Sequence, residues 1–520
     1  MALIGLWNLD RLPIAWNDEV QNLDPALVWH NTGIFCSPLW PNPGAEIKFL
    51  SYPPLIEVWH CLWLFLGKSV WIVRLPFLLA HLTTAWLLYR GLSRLLKHQD
   101  HFTFWAFLLT ALFLFDKSTG EIARSLRVET PILLLLATLL NLLPSYFQEQ
   151  TPKRALIIGF ILGGLVLAHL YTWPLVITTL VLCGLNTPKS HKINFILVMA
   201  FLLPIGLFWM VLSPEIQNLK TQMFMQAQDH SSHSLTQNIY DFFIGRFIPY
   251  SLEQPYTPVL HILYFLLSCQ LLFHYKRSFS HTASALTKAW IPLLFLSISL
   301  PMMLFIAPQH RYYPIQHFLG LLVLADAIVC LGIHKKIEKW LLPILKKSNT
   351  RYNHSSGFLR GLTTAATLLL TFVVAFPYTI RHSAAALQRV QRNPNLAIEF
   401  LNQNLNHLPA GEILGEPIAN YWLAQSPHPK NWRYGFEFYP QHFPFNPQLP
   451  RFFLSRTTPN QLPFLKVVNH LQIPATPWQK KLSLPAFGHT YNGLYLYQIP
   501  SEDAWRALTN PEVLKVTSGH

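Results

Sequence analysis

Apolar runs long enough to cross a bilayer recur along most of this chain, and nothing else in the sequence limits its fold as strongly. A helix needs about 20 predominantly apolar residues to span the hydrocarbon core. Runs that meet or approach that length lie at 70–96, 102–115, 122–146, 155–185, 193–212, 257–275, 289–306, 315–333 and 362–376. The 155–185 run is interrupted at 169–174 and reads as two short spans. About ten membrane-spanning helices result by the length rule.

Composition agrees with that reading. A chain of 520 residues would ordinarily divide into several soluble domains. Here only 12% of residues are charged against 51% apolar, and the mean hydropathy is +0.28, too apolar for an ordinary soluble surface. The 17 Trp and 36 Phe suit interfacial belts and a lipid-facing exterior. The net charge of +15 does not point to nucleic acid, because the basic residues sit in short loops between apolar runs rather than in a basic stripe.

Those basic loops fix an orientation. Arg90, Arg94 and Lys97, then Lys153 and Arg154, Lys189 and Lys192, Lys276 and Arg277, and Lys335 to Arg351 fall on alternate turns, so they read as cytoplasmic. The segments between them face outward: a first loop at 9–69, a loop at 116–121, a long loop at 213–256, Arg311, and the tail. Met1 to Trp7 is too short to span, and 55–66, with Glu57 and His60, reads as an interfacial helix. Two modules follow, a transmembrane part at 1–379 and a soluble outer part at 380–520. In the second, alternation at Gly493-Leu494-Tyr495-Leu496-Tyr497 predicts strands in a small α/β domain.

Ionisable groups beside or within spans are costly, so each is a functional candidate. They are Asp18 and Glu19 in the first outer loop, Glu121, Arg124, Arg127 and Glu129 around 116–129, Arg311, and Arg74 and His81 in the first long span. On a helix Arg124 and Arg127 would share a face, as two guanidiniums gripping phosphate do. The plain alternative pairs Arg124 with Glu121 as a helix anchor. Other chemistries lack their residues. Gly67-Lys68-Ser69 has Leu62 where a phosphate-binding loop needs glycine. There is no HExxH, no Cys/His ligand set, no DxD and no GxSxG. The five cysteines show no CxxC, and spacing alone fixes no disulfide between Cys36 and Cys61. Gly159 and Gly163 have the spacing of close helix packing. What survives is a carboxylate on an outer loop beside an arginine-lined membrane entrance. A carboxylate can deprotonate an acceptor hydroxyl, and arginines can stabilise a departing phosphate.

An ordered set of short motifs then resembles a known family. Asp18-Glu19 comes first, then Tyr52-Pro53-Pro54-Leu55, Gly67 and Arg74-Leu75-Pro76. Ala123-Arg124-Ser125-Leu126-Arg127-Val128-Glu129 and Arg311-Tyr312-Tyr313-Pro314 follow, the set covering roughly 15–330. This resembles the GT-C membrane glycosyltransferases, specifically the protein O-mannosyltransferase and lipid A aminoarabinose transferase group with its bacterial lipopolysaccharide relatives. The resemblance implies an all-α polytopic GT-C fold with a small C-terminal α/β periplasmic domain, in the bacterial inner membrane. It implies inverting transfer of a hexosyl or pentosyl group from a polyprenyl-phosphate donor to an envelope acceptor, which is a glycolipid, polysaccharide or protein. Asp18 would be the base, supported by Glu19 and Glu129. Arg124, Arg127 and Arg311 would hold the donor phosphate, with Lys48, Tyr52 and Tyr312 as further substrate contacts. No cofactor or metal ligand is assigned, and a divalent cation is left open. A flippase or transporter of a lipid-linked sugar is the alternative.

Two departures accompany the resemblance. Tyr52 stands where aminoarabinose transferases carry lysine before Pro-Pro-Leu. The family also has a full span before the Asp-Glu pair, where this chain has about fifteen residues. The expectation is a start codon assigned too late or a truncation.

Overall fold

The computed structural model describes, in the main, residues 8–13, 17–37, 53–186, 191–212, 256–278, 288–304, 313–331, 382–425, 432–435, 448–473 and 490–510. Five described helices are long and apolar enough to cross a membrane: Val70–Leu95, Glu129–Gln148, His191–Phe208, Val259–Ser278 and Tyr313–Cys330. Shorter apolar helices occupy Leu55–Leu64, Phe102–Phe115, Leu170–Asn186 and Trp290–Pro301. The expected span at 362–376 and most of the 213–256 loop lie outside the described residues.

In chain order the helices of this bundle are α1 (Asn17–Thr32), α2 (Leu55–Leu64), α3 (Val70–Leu95), α4 (Phe102–Phe115), α5 (Lys117–Ile122) and α6 (Glu129–Gln148). Then come α7 (Pro152–Ala168), α8 (Trp173–Asn186), α9 (His191–Leu212), α10 (Tyr256–Ser278), α11 (Trp290–Leu304) and α12 (Tyr313–Cys330). Helix α12 is the axle. Nearly every side chain on it is buried, and it touches α3, α4, α6, α10 and α11. Exposure runs the other way on α9, where Phe195, Met199, Leu202, Leu203 and Leu207 face outward. A stripe of large exposed apolar side chains at helical spacing is what a lipid-facing surface requires.

Two sequence readings are corrected here. The 9–51 segment, read as a loop, contains the four-turn helix α1, which buries Val20, Leu23, Ala26 and Leu27. The run at 122–146 is not one helix. The chain turns at 123–128 between α5 and α6, so Arg124 and Arg127 do not share a helix face. Ile122 at the end of α5 and Ala123, Leu126 and Val128 in the turn are all buried, so apolar side chains continue through a stretch that is not helical. Cys36 and Cys61 are both free thiols.

The Gly159/Gly163 spacing does mark close packing. These glycines press α7 onto α9, and a Cβ at Gly159 would stand 2.5 Å from the Leu197 carbonyl oxygen. Gly159→Leu should therefore cost about 1–3 kcal/mol as overpacking. Its unfolding midpoint in detergent should fall, whereas Gly184→Leu, with nothing within 4 Å of its Cβ position, should leave the midpoint unchanged.

The C-terminal unit is mixed α/β. Its elements are α13 (Pro394–Leu405), β1 (Gly411–Gly415), α14 (Ile418–Gln425), β2 (Trp432–Gly435), β3 (Arg451–Ser455), β4 (Lys466–Leu471), β5 (Leu494–Gln498) and α15 (Glu502–Leu508). The sheet order is β2-β1-β3-β5-β4. The β2-β1 and β1-β3 pairs are parallel, and the β3-β5 and β5-β4 pairs are antiparallel. Side chains alternate across a strand, and the two faces have different partners. Phe452, Leu454, Leu494 and Leu496 share one core with Val20, Leu23, Leu64 and Phe77 of the bundle. Phe453 and Tyr497 pack instead against Trp505 and Leu508. The C-terminal unit is thereby joined by a continuous apolar core to α1 and to the start of α3.

Candidate functional site

Buried charge gathers where α1, the turn at 123–128 and the C-terminal unit meet. Its centre is Glu19, in the first turn of α1. Arg74 on α3 donates from Nε to Glu19 Oε1 (2.7 Å) and from Nη2 to Oε2 (2.6 Å). Both side chains are fully buried. Arg74 Nη1 donates to the carbonyls of Leu9 (2.9 Å) and Pro13 (2.6 Å). Such a two-pronged pair fixes both planes as well as the distance. From the C-terminal unit the Tyr421 hydroxyl donates to Glu19 Oε1 (3.0 Å), and the Ala15 amide donates to the Tyr491 hydroxyl (3.2 Å). Burial pushes the Tyr491 phenol up to about 12, so it stays protonated.

The turn at 123–128 wraps the same region. Arg124 donates from Nε to the Leu12 carbonyl (2.7 Å) and from Nη2 to the Asn8 carbonyl. Arg127 forms a second buried pair, Nε to Glu129 Oε2 (3.1 Å) and Nη2 to Oε1 (2.7 Å). Asn22 on α1 donates to the Leu126 carbonyl (3.1 Å). A small cleft opens beside this turn, lined by Leu12, Pro13, Lys117, Gly120, Glu121, Arg124 and His382. Lys117 is buried, with its Nζ 4.0 Å from Glu121. Burial, reinforced by the Arg124 guanidinium, pushes His382 down to about 3, so its ring is neutral.

The sequence-derived residues are therefore distributed unevenly. Glu19 and Arg74 meet, and Arg124 reaches the cleft. Arg127 and Glu129 are paired with each other and do not line the cleft. Asp18 lies in the first turn of α1, but its side chain is outside the described residues, as are Lys48, Tyr52, Arg311 and Tyr312. Among the described residues no cluster of three His, Cys, Asp or Glu side chains has the geometry of a metal site. Lys117, His382, Tyr421 and Tyr491 were not singled out by sequence. Lys117 sits in a segment already placed on the outer side, whereas Tyr421 lies 402 positions from Glu19 and nothing local marks it.

Tyr421→Phe removes one hydrogen bond to a buried charge. It should cost about 1–2 kcal/mol of stability, measured as the shift in unfolding midpoint against wild type.

The fold resembles that of two solved structures of ArnT. The solved structure of ArnT from Cupriavidus metallidurans bound to undecaprenyl phosphate superposes with a TM-score of 0.52 at 13% identity, covering 98% of each chain. Its apo structure gives 0.50 at 14% identity, covering 98% of this chain and 97% of that one. No family model matches the sequence, and no curated protein matches it.

Proposed function

We propose that this protein transfers a sugar from a polyprenyl-phosphate donor to a cell-envelope acceptor, with inversion, at the periplasmic face of a bacterial inner membrane. Asp18 takes the proton of the acceptor hydroxyl. The acceptor oxygen bonds to the anomeric carbon from the side opposite the phosphate. The bond from that carbon to the phosphate oxygen breaks, and its electron pair leaves on the lipid phosphate toward Arg124 and Lys117. Arg311 adds a further cation on this reading. Glu19, already committed to Arg74, is a positioning residue for the first turn of α1. Arg127 and Glu129 shape the turn that presents Arg124.

The observation that carries this reading is the buried Glu19–Arg74 pair beside a cleft lined by Lys117 and Arg124. It couples a rigid mount for the Asp18 turn to cations suited to a phosphate. The fold supports the choice of a lipid-linked donor, since the neighbour it matches holds undecaprenyl phosphate.

Arg124→Ala and Lys117→Ala test the phosphate assignment. Each should weaken binding of undecaprenyl phosphate to the purified protein by roughly tenfold or more, the loss of a charge-assisted contact of ~1.5–3 kcal/mol. Unchanged affinity in both variants would remove the cleft from the donor site.

A further inference from the structure

The 8–13 segment forms one wall of the cleft, through Leu12 and Pro13. Four of its main-chain carbonyls rest on two arginines. Arg74 Nη1 donates to those of Leu9 (2.9 Å) and Pro13 (2.6 Å). Arg124 donates from Nε to that of Leu12 (2.7 Å) and from Nη2 to that of Asn8. The anchors alternate along the segment, positions 9 and 13 on Arg74 and positions 8 and 12 on Arg124.

The two anchors are not equivalent. Arg74 is gripped by both oxygens of Glu19 in a fully buried pair, which fixes its guanidinium. Arg124 lines the cleft instead. Its bond to Asn8 is also the easier to give up. The Asn8 carbonyl accepts from the amides of Arg11 (3.1 Å) and Leu12 (3.1 Å) as well. A carbonyl oxygen has two lone pairs, so three donors overfill it, and withdrawal of Arg124 leaves it satisfied. Leu12 borders the cleft, so its carbonyl can be hydrated once released. The Asn8 side chain adds a cost to the arrangement as it stands. It is fully buried, and among the described residues neither polar atom of its amide has a hydrogen-bond partner. An unpaired buried amide destabilises the conformation that buries it.

A buried guanidinium needs acceptors, and neutral carbonyls are weaker acceptors for it than the ionised oxygens of a phosphate. We propose that the 8–13 segment is a strap whose carbonyls stand in for phosphate on Arg124, and that the phosphate of the donor lipid displaces them. Arg124 exchanges the Leu12 and Asn8 carbonyls for phosphate oxygens, and the strap opens while Arg74 keeps hold of Leu9 and Pro13. This rests on the assignment of the cleft to the donor phosphate made above and adds a gate to it. Affinity for the lipid then depends on how firmly the strap is held, since its bonds to Arg124 are given up on binding.

The test is hydrogen exchange on the full-length protein in nanodiscs, with undecaprenyl phosphate and with undecaprenol, the same chain lacking the phosphate. Saturation with undecaprenyl phosphate should speed exchange of the Arg11 and Leu12 amides about fivefold or more, because a turn no longer pinned from outside opens more often. Undecaprenol should leave both amides unchanged. Arg124→Ala should show the faster exchange with no lipid added and no further change on adding it. Leu12→Gly loosens the strap without touching a cation, and it should bind undecaprenyl phosphate roughly threefold or more tightly than the wild type. A segment that is only a wall predicts equal or weaker binding. Wild-type exchange that is slowed or unchanged with undecaprenyl phosphate bound overturns the strap alone, and so does a folded Leu12→Gly variant with affinity at or below wild type. A wild type that binds undecaprenyl phosphate no better than undecaprenol overturns the phosphate cleft and the strap together.

Discussion

Arg74→Ala should be the most damaging single substitution at this site. It leaves the Glu19 carboxylate fully buried without its guanidinium, and it removes the donor that holds the Leu9 and Pro13 carbonyls. Breaking a buried pair from one side costs about 3–5 kcal/mol. The expected result is a large drop in unfolding midpoint and in the yield of monodisperse protein. Adding Glu19→Ala should recover part of the loss, because the orphaned charge goes with it. A double-mutant cycle measures that recovery. Strict additivity would mean that the two side chains do not act as a pair. Arg74→Lys should fall between, since an ammonium cannot reproduce the two-pronged geometry.

Asp18→Asn should act differently, leaving stability alone and lowering turnover. Loss of a general base costs on the order of 10²–10⁴ in rate. Donor binding should be unchanged, because the proposed phosphate site is the cleft of Lys117 and Arg124. A variant that keeps its fold and its affinity but turns over at the wild-type rate would remove Asp18 from the mechanism.

The apolar runs were legible because hydropathy sums over many residues. Five of them reappear as described helices long enough to span. The strand at Leu494–Gln498 also follows from a purely local signal, the alternation at 493–497. Local signals failed where burial and helicity part company. The turn at 123–128 carries apolar residues, Ala123, Leu126 and Val128, because it is packed and not because it is helical, and it is braced by Thr130 donating to the Ile122 carbonyl (2.8 Å). Helix α1 was hidden by the opposite effect, as Asn, Asp and Gln punctuate it and only one face is apolar.

Glu19, Arg74 and Arg124 were legible as ionisable residues of the candidate site, and their partners were not. Arg74 and Glu19 were each singled out, but 55 positions separate them and no spacing rule joins them. The pairing of Arg127 with Glu129 was equally unreadable, since residues two apart do not face each other on a helix and only the turn brings them together. The contribution of the C-terminal unit through Tyr421 and Tyr491 depends on tertiary packing alone. The shared core of Leu23, Phe77, Leu454 and Leu494 joins the C-terminal unit to the helices around Glu19.

Glycosyl transfer from a lipid phosphate is measured with the purified protein, a panel of polyprenyl-phosphate hexoses and pentoses, and an envelope acceptor extract. Release of polyprenyl phosphate should match the sugar appearing on an acceptor, mole for mole, with the anomeric configuration inverted. No release from any donor, together with movement of an intact sugar-lipid across a vesicle membrane, would contradict transfer and identify a flippase instead.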